Sequence, residues 1–172
     1  MPSSSLRAMW PRGPLPSPSD RQDTITDMTT DMTTTTTPTT TERGGTNSAV
    51  ATWAGGWRCD VEAGGFSLIV DEPVDIGGTG MGPMPTDLLM ASLSSCYLLA
   101  LTWAAGRRGV VLPDLEVTAT GTYEGQKFTS LVLTVKTSLS AEQLAPLIEP
   151  AKRVCYVSNT FAHAPAIEVQ VA

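Results

Sequence analysis

The chain has 172 residues, 41% of them apolar, and a net charge of −6. That apolar content fills one hydrophobic core, so a single domain is expected, while the acidic balance and scattered Lys and Arg exclude the clustered basic footprint of a nucleic-acid binder. Three cysteines, an odd number without the dense spacing of a small secreted scaffold, fit a reducing cytoplasm.

Residues 1–47 carry the run PRGPLPSPS and a threonine tract around Thr33 to Thr41. Such a segment has too little apolar surface to offset the entropy of ordering, so it reads as a disordered low-complexity extension ahead of a domain over 48–172. Arg7 and Arg12 are not followed by an apolar run, which excludes a secretory signal. Met28 and Met32 leave open a start further in.

From Ala49 the segments AVATWAG, WRCDVEA and FSLIVDE are separated by Gly55-Gly56 and Gly64-Gly65, the pattern of a three-stranded meander. In the second, Trp57, Cys59 and Val61 alternate with Arg58, Asp60 and Glu62. The glycine-rich stretch DEPVDIGGTGMGP follows. It lacks the Lys-Ser or Lys-Thr of a phosphate-binding loop and precedes an acidic helix start, so it reads as a tight turn into that helix.

A helix is expected from Thr86, as N-cap, to Ala105, with Asp87 in the first turn where a negative charge suits the dipole. Leu89, Leu93, Cys96, Ala100 and Trp103 form its apolar stripe. Asp87, Ser92, Ser94 and Ser95 interrupt the apolar run, which argues against a membrane span. Leu115 to Tyr123 and Phe128 to Val135 read as two strands joined at Glu124-Gly125. A second helical region opens at Ser140, where Pro146 and Pro150 are expected to kink or divide it, and Cys155 falls near its end. A last strand is expected over Ala166 to Val171. The order of elements is α+β. His163 is the single histidine, so no imidazole metal cluster can be assembled and no Ser-His-Asp constellation is argued from it, and no metal or organic cofactor is implied. Cys59 reads as a small core residue, and His163 as a surface or turn residue.

Taken alone, Cys96 on an apolar helix face reads as a packed core thiol. Together, however, the helix around Cys96, the segment CYVSNT from Cys155 and the stretch DEPVDIGGTGMGP resemble the family of osmotically inducible protein C (OsmC) and the organic hydroperoxide resistance proteins, from about Ala49 to the C-terminus. CYVSNT matches the family's CPVSNT, with Tyr156 in place of proline. The resemblance implies an antiparallel sheet with two central helices, in an intertwined homodimer whose active sites lie at the subunit interface. It also implies that Cys96 attacks the peroxide oxygen and that Cys155 resolves the sulfenic acid. A cation must then hold the Cys96 thiolate. Arg58, after Gly55-Gly56, is the candidate. Thr86 occupies the place of the family's glutamate, leaving the neighbouring Asp87 as the candidate partner of Arg58. The implied function is a thiol-dependent peroxidase that reduces organic or lipid hydroperoxides in oxidative stress defence, reset by an external dithiol reductant. The alternative, favoured by Thr86, is a non-catalytic module of the same fold that binds an apolar small molecule or a stress-related partner.

Overall fold

The structure, a computed structural model, describes residues 45–171. All but the last three residues of the expected 1–47 extension therefore lie outside the described residues.

Three strands, β1 (Ala49–Gly55), β2 (Arg58–Ala63) and β3 (Phe66–Val70), form an antiparallel sheet in the order β1-β2-β3. Gly64 and Gly65, at φ 60° and 86°, supply the two left-handed positions that a two-residue hairpin needs between β2 and β3. The next segment is organised by one carboxylate. Asp71 is buried and accepts the N–H groups of Glu72 (2.9 Å), Thr79 (3.0 Å) and Met81 (3.2 Å), together with the Thr79 hydroxyl. Folding the loop onto this centre brings its backbone against the strand end. A Cβ on Gly78 would lie 1.7 Å from the Glu72 carbonyl oxygen, and one on Gly82 would lie 2.2 Å from that of Ile69, so only glycine fits at either place.

The loop delivers the chain into α1 (Pro85–Gly106). Met84, not Thr86, is the N-cap. Pro85 is preset for the first helical position, and Asp87 reaches back to accept the Met84 N–H at 3.0 Å. The buried face is wider than the expected stripe, comprising Leu93, Cys96, Tyr97, Ala100, Leu101, Ala104 and Ala105, while Leu89 and Trp103 are half-buried. By length and mean hydropathy, 1.6 over its best window, α1 meets the requirement of a membrane span. Its apolar residues are nevertheless the hub of the core, packed against Leu147, Ala151 and Cys155.

Strands β4 (Glu116–Glu124) and β5 (Lys127–Lys136) form a separate two-stranded antiparallel sheet. Val117, Leu133 and Val135 lay one of its faces on the helices. Ser140 caps α2 (Ala141–Val154) through a reciprocal pair of hydrogen bonds with Gln143. Of the two outcomes expected from sequence, a kink or a division, the helix is not divided at Pro146 and Pro150. Cys155 separates it from α3 (Tyr156–Ala162).

The fold is thus α+β, with antiparallel sheets and three helices. The strand expected over Ala166 to Val171 does not form. Residues 164–171 pair with no strand among the described residues, and Ile167, Val169 and Val171 stand 91%, 87% and 97% exposed. A strand needs a neighbour for its backbone groups, and this segment has none among the described residues.

Candidate active site

The two thiols come together by helix packing. Cys96 sits midway along α1 and points at the junction of α2 and α3. Cys155 occupies that junction with an extended backbone, φ −78° and ψ 103°, which ends one helix and starts the next. Its N–H donates to the carbonyl of Ala151, and its own carbonyl accepts from Asn159 N–H and the Ser158 hydroxyl, so the backbone is held from both sides. The Cys155 and Cys96 sulfurs are 3.5 Å apart, and both residues are buried. Closing to a disulfide bond of about 2.05 Å needs a movement of about 1.5 Å.

Burial pushes the Cys96 thiol above the ordinary cysteine range, because a thiolate loses its hydration there, and the neighbouring Cys155 sulfur adds to the rise. Two backbone donors oppose it. The backbone N–H groups of Val157 and, to a smaller extent, Tyr156, in the first turn of α3, lie on the Cys96 side of that turn and favour the ionised form of the thiol. The Tyr156 amide exists because this position is not proline. The second donor, Val157, had no signal in the sequence beyond its distance from Cys155.

Arg58 and Asp87 are not brought to the thiols within the single chain. Arg58 lies at the start of β2, where its Nη2 pairs with Asp60 Oδ1 at 3.0 Å and its Nη1 contacts Met81 Sδ at 3.7 Å. Its Nε is buried without a partner. Asp87 is spent on the α1 N-terminus, and Thr86 is exposed beside it. Cys59 is half-buried in β2, opposite Trp53 and Val70. His163 is exposed, its ring nitrogen 3.3 Å from the Asn159 carbonyl. Among the described residues no cluster of His, Cys, Asp and Glu could hold a metal ion.

Beside Tyr97, the chain neighbour of Cys96, lies a cleft of about 610 Å³, walled by Leu93, Tyr97, Leu133, Ile148 and Phe161, with Lys152 at its side and neither cysteine in its wall. Tyr97 is a residue that sequence reading passed over. A chain-like or aromatic organic group fits such walls.

A sequence model of the OsmC-like protein family matches residues 78–170, more than half of the chain, and this stretch includes both cysteines. The chain belongs to the OsmC-like family. The solved structures agree. An organic hydroperoxide resistance protein OsmC from Legionella pneumophila is 25% identical, with 70% of this chain and 91% of that one covered at a TM-score of 0.56. An organic hydroperoxide resistance protein from Elizabethkingia anophelis is also 25% identical, covering 72% and 92% at 0.56. An OsmC-like protein from Mycoplasma pneumoniae, 16% identical and covering 71% and 91% at 0.60, shares the fold. No curated protein matches the chain. The OsmC-like fold anticipated from Cys96, CYVSNT and the glycine-rich loop is therefore present.

Proposed function

We propose that this OsmC-like protein is a thiol-dependent peroxidase acting on organic hydroperoxides. The observation that carries the reading is the buried approach of Cys96 and Cys155 at 3.5 Å. The Cys96 thiolate attacks the terminal peroxide oxygen and breaks the O–O bond. The alkoxide leaves, takes up a proton and departs as alcohol, and Cys96 becomes a sulfenic acid. The Cys155 thiol then attacks the sulfenic sulfur, water leaves, and a Cys96–Cys155 disulfide remains. An external dithiol of a reducing cytoplasm restores both thiols by exchange and becomes a disulfide itself.

The amides of Val157 and Tyr156 support the thiolate within one chain. The exposed apolar face of the first sheet, with Trp53, Trp57 and Phe66 uncovered, supports a homodimer in which that sheet, and Arg58 with it, docks on a second copy. The cleft beside Tyr97 supports an organic rather than a small inorganic peroxide. The same cleft favours a second reading, a binding module for an apolar small molecule, which retains the fold without turnover.

The deciding experiment adds stoichiometric cumene hydroperoxide to the reduced protein and maps disulfides under non-reducing conditions. The peroxidase reading expects one Cys96–Cys155 bond and one equivalent of cumyl alcohol. Oxidation confined to Cys59, or a protein that stays reduced in excess peroxide, sinks it and leaves the binding module.

A further inference from the structure

The two prolines of α2 stand four residues apart, and that spacing creates a specific defect. The Pro146 carbonyl should accept from the amide of residue 150, but Pro150 has no N–H. The vacancy is filled from the turn that follows another helix. Arg108, in the turn that follows α1, donates from Nη1 to the Pro146 carbonyl oxygen.

This bond and the thiol pair sit at opposite ends of one helix-helix contact. Cys96 and Arg108 mark one side, Cys155 and Pro146 the other, so α1 and α2 run antiparallel with one cross-contact at each end. Along the helices the two contacts are roughly 13–18 Å apart, at about 1.5 Å per residue. A slip of α2 by a single residue would move Cys155 by about 1.5 Å, the same size as the gap the sulfurs must close.

We propose that Arg108 is a positioning residue that holds α2 in register on α1, through the carbonyl left unserved by Pro150, and so keeps Cys155 within bonding reach of Cys96. The inference rests on the reading of the two cysteines as a redox pair.

The test is the equilibrium of the intact protein with glutathione, in which the dithiol and one oxidised glutathione give the disulfide and two reduced glutathiones, followed by alkylation and mass analysis. Arg108→Met should lower the equilibrium constant for disulfide formation at least tenfold, about 30 mV toward a more oxidising potential. Arg108→Lys, which keeps a donor, should recover most of it. Pro150→Ala restores the backbone donor, so adding Arg108→Met to that variant should change the constant less than twofold.

This last comparison separates positioning from general stability, and it holds even if Arg108→Met alone fails to fold. An unchanged constant in folded Arg108→Met, or an undiminished effect in the Pro150→Ala background, overturns the inference alone. A wild-type protein that forms no Cys96–Cys155 disulfide with glutathione or peroxide overturns the peroxidase reading and this inference with it.

Discussion

At Cys96 the balance between burial and two amide donors decides how much thiolate exists at neutral pH. Tyr156→Pro removes one donor with little else, since proline is well suited to the first position of a helix. Losing a donor that favours the thiolate should raise the Cys96 pKa. Alkylation by iodoacetamide at pH 7 should then slow, with its pH profile displaced upward. An unmoved profile would show that the Tyr156 amide does not serve the thiolate. Cys155→Ser should still consume one equivalent of hydroperoxide and leave a sulfenic acid on Cys96 that dimedone labels, whereas Cys96→Ser should consume none. Both cysteines were legible from their motifs. The expected partner of Arg58 was Asp87, whereas within the single chain Arg58 pairs with Asp60, two residues along the same strand face. The amide of Val157 was not legible, since donors of the main chain leave no mark in side-chain chemistry.

The loop between β3 and α1 shows how a turn that is easy to predict conceals its own cause. GGTGMG announced a tight turn, yet Asp71, which reads in sequence as a polar strand end, is the centre around which it closes. Gly78→Ala and Gly82→Ala place a methyl group inside the contact radius of a backbone carbonyl, and each should destabilise by at least about 3 kcal/mol. Gly125→Ala, at φ 60° in open space, should cost only about 1 kcal/mol. Equal midpoints of urea unfolding for Gly78→Ala and Gly125→Ala would contradict this. The Thr79 hydroxyl foremost, then the loop amides, hold the Asp71 carboxyl below the ordinary carboxylate range. A depressed folded pKa means that the contribution is complete above the unfolded value of about 3.9 and is lost as pH falls through the folded one. The stability gap between wild type and Asp71→Asn should therefore be constant from pH 7 to 5 and shrink below about pH 4. A gap that does not vary with pH would show that the charge is irrelevant. In α2 the prolines were legible as a fault, but the repair by Arg108 was not, because it comes from a residue distant in the chain.

The molecule as a whole buries its helices and one sheet face well and leaves the first sheet uncovered. Trp53 and Phe66 are 76% and 77% exposed, large apolar side chains of the kind an interface covers. Sedimentation of the wild type at micromolar concentration should give a dimer, and Trp53→Asp combined with Phe66→Asp should give a folded monomer. A monomeric wild type would remove the second copy from the proposed site. Alternation at Ile167, Val169 and Val171 made the last strand legible as a segment that wants a neighbour, but periodicity says nothing about which chain supplies the neighbour. That unpaired segment carries a thermodynamic consequence. If its partner is another molecule, folding is bimolecular, and the stability of this protein is a function of how much of it there is. Its melting temperature would climb with the logarithm of concentration, and dilution alone would unfold what heat does not.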